Sequence, residues 1–131
     1  KTQGFSQKKY LIKNAMVFLN APYLWGGRTN YGIDCSGFSQ IVYKIQNIKI
    51  KRDANQQALQ GNIVKRKDCS KGDLAFFGDT KRKITHVGVL LSLNKIIHAY
   101  GKIRIDRINN KGIINSETKK MTHKLIEIRT Y

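Results

Sequence analysis

The chain has 131 residues, 40% of them hydrophobic and 25% charged, which is typical of one folded domain with a buried core. No apolar run approaches the roughly 20 residues that a transmembrane helix needs, so no transmembrane segment is expected. There are 25 Lys and Arg against 8 Asp and Glu, and the net charge of +17 reflects either compositional bias or a polyanionic partner.

The basic residues are scattered along the chain, and no basic run is longer than three residues, as in Lys81-Arg82-Lys83. Neither zinc-finger spacing nor an array of basic and aromatic residues is present, so nucleic acid is not expected as a partner. An anionic cell-wall polymer remains a possible partner. The chain starts without Met and without a signal-peptide core, which predicts a trimmed product whose targeting segment lies outside it.

The first part of the chain predicts helices. Ser6 can cap a first helix with Leu11, Ala15, Phe18 and Leu19 on one face, which should end near Asn20 because Pro22 disfavours further helix. After a Pro/Gly-rich turn, Asp34 is a suitable N-cap for a second helix with the apolar stripe Phe38, Ile41, Val42 and Ile45. Residues 48–51 form a short strand or an extended link, and Asp53 can cap a short helix over 54–60.

The second part predicts strands separated by turns. The expected strands lie at 62–66, 74–77, 85–91, 95–100, around Ile103 and Ile105, and at 124–128, and the turns lie at 70–73, 92–95 and 109–112. Helices followed by an antiparallel meander predict an α+β fold rather than a wound parallel sheet. No repeat or linker divides the chain, so residues 1–131 are expected to form a single domain.

Cys35 falls in the first turn of the second predicted helix. Unpaired backbone N–H groups and the positive end of the helix dipole favour a thiolate there, and a thiolate is the nucleophilic form. The chain has one other cysteine, Cys69. In an oxidising compartment the two could form a disulfide, or one is a working thiol and the other a bystander.

A cysteine nucleophile needs a base, and the base needs a group that orients it. His86 and His98 are twelve residues apart on neighbouring predicted strands, so both side chains can lie on one face. His86 could then take the proton of Cys35 while His98 fixes its tautomer. Cys35, His86 and His98 could also ligate zinc, but no fourth ligand has metal-site spacing, and no metal or cofactor is predicted. His123 is interpreted as a surface residue without a role.

Several separated motifs stand in the order found in one bacterial enzyme family. These are Pro22-Tyr23-x-Trp25-Gly26-Gly27, Asp34-Cys35-Ser36-Gly37-Phe38, Arg52-Asp53-Ala54 with Gln57, Gly72-Asp73-Leu74-x-Phe76-Phe77, His86-Val87-Gly88 and Ile97-His98-Ala99. Over residues 10 to 100 the chain resembles the NlpC-type cell-wall cysteine peptidases. Many members carry an SH3-like wall-binding domain that this chain lacks, so a missing wall-binding domain is a possible partner.

The resemblance implies a papain-like fold, in which N-terminal helices include the nucleophile helix packed on an antiparallel sheet. It implies an extracytoplasmic endopeptidase that cleaves peptidoglycan stem peptides at the γ-D-glutamyl–diamino acid bond, where the diamino acid is diaminopimelate or lysine. Intact wall and released muropeptide stay open as substrates. A papain-like amidase and a catalytically silent wall-binding module are the alternatives.

The resemblance also implies roles for individual residues. Cys35 would be the nucleophile, His86 the general base and acid, and His98 the orienting residue. Tyr23 would help to hold the oxyanion or the substrate, and the backbone N–H of Cys35 would be another oxyanion donor. Asp34 and Ser36 would bind the terminal amine of the substrate. Trp25 is expected as a pocket wall or a packing residue, and Arg28 as a substrate-carboxylate ligand or a surface cation.

Overall fold

The computed structural model describes residues 5–29 and 32–131, and these residues form three α-helices and nine strands. The helices are α1 (Phe5–Val17), α2 (Cys35–Ile45) and α3 (Ala54–Gln57). The strands are β1 (Arg28–Thr29), β2 (Gly32–Ile33), β3 (Asn62–Val64), β4 (Leu74–Gly78), β5 (Ile84–Ser92), β6 (Lys95–Tyr100), β7 (Lys102–Ile108), β8 (Gly112–Ile114) and β9 (Met121–Thr130). A turn of 3-10 helix, Arg66–Asp68, lies between β3 and β4.

Helix α1 has different ends from those predicted. It stops at Val17, and residues 18–20 form a turn instead of continuing the helix to Asn20. Asn20 has a φ of 72°, a left-handed conformation that ends a right-handed helix and that Asn tolerates. The helix also contains Ser6, so the prediction of Ser6 as its N-cap is wrong. Leu11 and Ala15 are buried as predicted.

Helix α2 begins where the sequence predicts. Asp34 is its N-cap, with extended backbone angles, and its side chain accepts a hydrogen bond from the N–H of Gly37. Phe38 and Val42 are buried and contact the core, as the apolar stripe predicts. Ile45, in contrast, is 53% exposed, because it is the last residue of the helix and lies beyond the packed face.

The connection from α2 to the sheet contains less regular structure than predicted. Helix α3 covers residues 54–57 rather than 54–60, and a turn leads to Gly61, whose φ of 69° suits glycine. Residues 48–51 belong to none of the strands or helices in the described part of the chain and form an irregular link. Strand β3 ends at Val64 rather than at residue 66.

The large sheet is antiparallel and closes on itself through β9. Its order is β3-β9-β4-β5-β6-β7-β8, and β9 also pairs with β8. Strand β9 is long enough for this because its first half pairs with β8 (Gly112↔Lys124) and its second half with β4 (Ala75↔Ile128). The predicted meander is confirmed, but β8 was not predicted and β9 extends well beyond 124–128.

The helices and the sheet enclose the main core. Helix α2 packs on β5 and β6, and α1 packs on α2. This core contains Phe38 and Val42 of α2 and Val87 of β5, while a second cluster on the other face of the sheet contains Leu90 and Ile96. The Tyr43 hydroxyl of α2 donates to a backbone carbonyl in the turn before β4, which ties the helix to the sheet. None of the helices in the described residues is long and apolar enough to span a membrane.

Candidate active site

The amino end of α2 is held in place by two buried polar side chains. Asp34 caps the helix at 2.7 Å from the Gly37 nitrogen. Gln57 of α3 is fully buried, and its amide nitrogen donates to the carbonyl of Ser36 at 3.0 Å while its oxygen accepts from the Ser39 hydroxyl at 2.7 Å. Cys35, the first residue of α2, is therefore attached to a rigid helix end.

Cys35 lies where two clefts meet. The Asp34 cleft, of about 530 Å³, and the His86 cleft share Tyr23, Cys35 and Thr85 in their walls. The Asp34 cleft is also lined by Trp25, Gly26, Asp34, Ser36, Arg52 and Asp53, and the His86 cleft by His86, Tyr100 and His123. A bound peptide could therefore extend to both sides of the thiol.

Trp25 is a wall of the Asp34 cleft rather than a packing residue. Its side chain lines the cleft and is 85% exposed, so it is not packed into the core. Tyr23 lies at the junction beside Cys35, as expected for an oxyanion or substrate contact. Burial raises the pKa of the Tyr23 phenol, and the charges of Cys35 and Asp34 raise it further, so Tyr23 keeps its proton near neutral pH and can donate it in a hydrogen bond.

The carboxylate of Asp34 is already occupied by donors of the protein. Its Oδ2 accepts from the Gly26 N–H at 2.9 Å and from Arg52 at 2.8 Å, and its Oδ1 accepts from the Gly37 N–H and from Arg52 at 3.1 Å. Arg52 also donates to the Ser36 hydroxyl at 2.9 Å. Asp34 and Ser36 thus lie together in the cleft as predicted, but an incoming amine would share them with the guanidinium of Arg52.

The two predicted histidines meet on the sheet. Gly88 of β5 pairs with His98 of β6, which puts His86 and His98 on the same face. His86 Nε2 lies 2.9 Å from His98 Nδ1, and His98 Nε2 lies 2.8 Å from a carboxylate oxygen of Asp106. This leaves Nδ1 of His86 without a partner among the described residues, and His86 and Cys35 both line the His86 cleft.

The thiol of Cys35 is near His86 but is not hydrogen-bonded to it. Sγ of Cys35 lies 4.0 Å from the carbonyl oxygen of Thr85, the residue before His86. Within the described residues no hydrogen bond joins Sγ to His86. Such contacts are often long without substrate and shorten when substrate binds.

The expected thiolate at Cys35 is not supported. Burial raises the pKa of the thiol, and the charge of Asp34 raises it further. Backbone N–H groups of Val87, Ser36 and Cys35 favour the thiolate, as the helix-end argument predicts, but burial outweighs them. Burial also lowers the pKa of His86 well below its usual value, with His98 and His123 adding to the shift. Near pH 7 the resting pair is therefore neutral thiol and neutral imidazole.

His123 is not the surface residue that its sequence neighbours suggest. It is half-buried, and its ring stacks on that of His86 with 4.0 Å between centroids and 22° between planes. Its Nδ1 lies 2.7 Å from the hydroxyl of Thr122. Burial lowers the pKa of His123 to about 4, so the ring is an uncharged wall over His86 at neutral pH.

The three histidines are close enough together to be compared with a metal site. One ring nitrogen of each of His86, His98 and His123 lies within 4.8 Å of the others. The lone pair of an imidazole lies in the ring plane, and the stacked planes of His86 and His123 do not direct their lone pairs to one point. His86 and His98 already use the facing nitrogens to hydrogen-bond each other. The arrangement suits a hydrogen-bonded pair under a stacked ring better than a set of metal ligands.

Known proteins match both the sequence and the fold of this chain. A model of the NlpC/P60 family matches residues 20–122. The chain belongs to the NlpC/P60 family. Two relatives, each named gamma-D-glutamyl-L-lysine dipeptidyl-peptidase, are 36% identical over 109 residues (Bacillus cereus strain ATCC 10987 / NRS 248) and 41% identical over 91 residues (Bacillus subtilis strain 168).

These matches cover 79% and 68% of this chain but only 33% and 31% of the relatives, so the chain spans about a third of their length. The crystal structure of an NlpC/P60 family protein from Bacillus cereus ATCC 10987 superposes with a TM-score of 0.82 at 30% identity. The superposition covers 100% of this chain and 41% of the Bacillus cereus chain. The mixed helical and antiparallel fold is thus that of an NlpC/P60 domain.

Four residues near the candidate site have no chemical role that the sequence predicts: Arg52, Gln57, Asp106 and His123. Arg52 and Gln57 belong to a motif that matches the family, although nothing in the sequence shows that they contact Ser36. Asp106 is one of several charges that alternate with apolar residues in β7, and this alternation is its only signal in the sequence. In the sheet it lies opposite Ile96 of β6, two residues from His98 on the same face. The disulfide alternative is not formed, since both cysteines are free. The Arg28 side chain lies outside the described residues.

Proposed function

We propose that this chain is the catalytic domain of a papain-like cysteine peptidase that cleaves peptidoglycan stem peptides outside the cytoplasm. The bond is the γ-D-glutamyl–diamino acid bond, and the domain spans residues 1–131. The observation that carries the proposal is the convergence of Cys35, on a capped helix end, with the hydrogen-bonded pair His86 and His98 at one cleft. The peptidase names of the two relatives support the reaction class.

The neutral resting pair defines the first step. As Sγ of Cys35 attacks the scissile carbonyl carbon, Nδ1 of His86 accepts the thiol proton, so the C–S bond forms without a free thiolate in the resting enzyme. The His86 imidazolium continues to donate its Nε2–H to Nδ1 of His98. When the C–N bond breaks, His86 returns the proton to the leaving amine, and water then hydrolyses the thioester by the same route.

Two donors are placed to stabilise the oxyanion of this reaction. The backbone N–H of Cys35 is in the first turn of α2, where it has no partner within the helix. The Tyr23 hydroxyl keeps its proton and lines both clefts beside the thiol. Removing one donor of an oxyanion site commonly lowers kcat about 10²-fold, and Tyr23→Phe is expected to do so.

The Asp34 cleft provides the side that recognises the substrate's amino end. Asp34 and Ser36 present oxygen atoms to the cleft, and Arg52 holds both in place. Asp53 adds a second carboxylate to the same wall. Because Arg52 neutralises Asp34, the second carboxylate leaves this wall with a net negative charge. That charge would attract a free terminal amine, which favours released stem peptides over an intact glycan-linked stem.

The test is mass spectrometry of stem peptides incubated with the chain and with Cys35→Ala. L-Ala-γ-D-Glu-diaminopimelate and its lysine counterpart are compared with N-acetylated versions and with intact sacculi. Release of L-Ala-γ-D-Glu by the parent alone supports the proposal. Cleavage of another amide bond would support the amidase alternative, and binding without cleavage would support the silent wall-binding module.

The net charge of +17 adds a proposal about wall retention. Anionic wall polymers carry regularly spaced charges that a basic surface attracts, and salt screens such attraction. Retention on sacculi should therefore fall steeply between about 50 mM and about 300 mM salt. Retention that does not change with salt would contradict an electrostatic origin.

A further inference from the structure

A chain of hydrogen bonds continues from the histidine pair into the sheet. His86 lies in β5, His98 in β6 and Asp106 in β7, so three neighbouring strands each supply one member. The successive contacts are 2.9 Å and 2.8 Å. His98 and Asp106 are almost completely buried, which keeps water from replacing either contact. Asp106 is thus linked to the base by one intervening ring.

The Asp106 carboxylate is held from two directions. Its Oδ2 accepts from Arg104 Nε at 2.9 Å as well as from His98. Its Oδ1 accepts from the backbone N–H and the hydroxyl of Ser116 at 2.9 and 3.0 Å, and from Arg104 at 3.2 Å. Glu117 in turn binds Arg104 at 2.9 Å. These donors hold the pKa of Asp106 far below its usual range in spite of burial, so the group is ionised and can only accept.

An acceptor at this position determines where the protons of both histidines lie. Because Asp106 only accepts, Nε2 of His98 must carry a proton. Burial lowers the pKa of His98, so the ring is neutral and its Nδ1 carries a lone pair that accepts from Nε2–H of His86. Neutral His86 then has a bare Nδ1, the nitrogen needed to take a proton from Cys35.

We propose that Asp106 is a positioning residue that, through His98, holds His86 in the tautomer whose Nδ1 can accept the proton of Cys35. This rests on the proposed function, in which Cys35 and His86 react. Asp106 does not take a proton during the reaction. Its charge also stabilises the imidazolium of His86 across the His98 ring, in the period between attack of the thiol and departure of the amine.

A purely structural role for Asp106 is the competing explanation. Through Arg104 and Ser116 it ties β7 to the connection between β8 and β9, and any substitution would loosen this connection. Ser116→Ala is the matched control, since it removes a donor to Asp106 while leaving the contact with His98. The positioning role predicts a small effect of Ser116→Ala, less than about threefold on kcat, as for loss of one of several donors.

The main variant is Asp106→Asn. The amide nitrogen meets the backbone N–H of Ser116 on one side and Nε–H of Arg104 on the other. The side chain of Arg104 can move away whereas the backbone of Ser116 cannot, so the amide nitrogen should face His98 and donate to its Nε2, which reverses the tautomers of both rings. We expect kcat on the stem peptide to fall about 10²-fold. The same carboxylate-to-amide change has a larger effect where the carboxylate contacts the catalytic histidine directly, and here the ring of His98 lies between them. KM should stay within about threefold, since Asp106 lies outside both clefts.

A double-mutant cycle separates positioning from structure. In a His98→Asn background the amide oxygen of residue 98 can accept from His86 whatever residue 106 is. Asp106→Asn should then lower kcat less than about threefold, far below its effect in the parent. Equal losses in both backgrounds would overturn the proposal and assign Asp106 a structural role. Urea midpoints of all four proteins control for folding.

A measurement on the unsubstituted chain keeps the proposal testable even if Asp106→Asn does not fold. ¹⁵N NMR of the histidine rings at pH 7 should show both His86 and His98 protonated at Nε2 and bare at Nδ1. A proton on Nδ1 of either ring would overturn it. The NMR measurement needs no substrate. If the rings show the expected tautomers but the chain does not cleave stem peptides, the proposed function is rejected and the positioning of His86 by Asp106 is not.

Discussion

Asp34→Asn tests how one ion pair controls both the stability of the site and the reactivity of its thiol. Asn is as good an N-cap as Asp, so the hydrogen bond from Gly37 is kept. The amide nitrogen then faces the Gly26 N–H and Arg52, two donors that lose their acceptor. The Arg52 side chain is 29% exposed and can be rehydrated, so the pair contributes about 1 kcal/mol. The unpaired Gly26 N–H adds about 1 kcal/mol more.

The expected loss is therefore about 2 kcal/mol in the free energy of unfolding, or about 1 M in the urea midpoint at an unchanged m-value. The thiol should respond in the opposite sense. The negative charge of Asp34 raises the pKa of Cys35, so Asp34→Asn should lower that pKa and speed alkylation near pH 8. The assay is the iodoacetamide rate of Cys35 against pH in a Cys69→Ser background.

Arg52→Met is the matched control because it removes the other partner. It should also destabilise the chain, but loss of the cation should raise the pKa of Cys35, as the two groups attract each other when the thiol ionises. Opposite shifts of the thiol pKa in two variants that are both less stable identify an electrostatic effect. Shifts of the same sign, or a stability change of Asp34→Asn below about 0.5 kcal/mol, would refute the reasoning.

Three further predictions concern the sheet, its pH dependence and the second cysteine. Gly88→Ala would place Cβ 2.9 Å from Cβ of His98, so it should cost about 1–3 kcal/mol by urea unfolding and lower kcat; an unchanged midpoint would contradict this packing. Because the folded pKa of His123 is about 4 against 6.5 unfolded, the unfolded state binds more protons between these values and stability falls as pH drops through that window. His123→Phe keeps the stacked ring and should reduce the slope of stability against pH over this window by up to about 1.4 kcal/mol per pH unit, whereas equal slopes would show that His123 does not titrate there. Cys69 is half-buried and free, so Cys69→Ser should keep turnover within twofold while Cys35→Ser abolishes it; a large loss in the first variant would give Cys69 a role.

Local patterns were enough to predict how several residues of the candidate site lie together. Asp34 before the apolar stripe predicts the helix start, and the capped helix is confirmed with Cys35 as its first residue. The even spacing of His86 and His98 predicts a shared face, and their hydrogen bond confirms it. Both inferences depend on residues close in sequence, or on two strands joined by one short turn, where periodicity and turn chemistry determine the geometry.

Contacts between distant segments were not predictable in this way. His123 reaches His86 because β9 closes the sheet between β8 and β4, a pairing that no short-range pattern in the sequence specifies. Asp106 appears in the sequence as one more charge in an alternating strand. It is buried because the register of β6 and β7 turns its face toward His98.

The helix start at Cys35, the consecutive strands β4 to β7 and the even spacing that lets His86 and His98 share a face can be read from the sequence, because propensity, capping and alternation act over a few residues. The charge state of the site depends on the complete fold. Whether a thiol or an imidazole is ionised depends on how completely the rest of the chain removes it from water, and here burial outweighs the helix end. That burial results from closing the sheet around the histidines and packing α2 against it, and it exists only in the folded molecule.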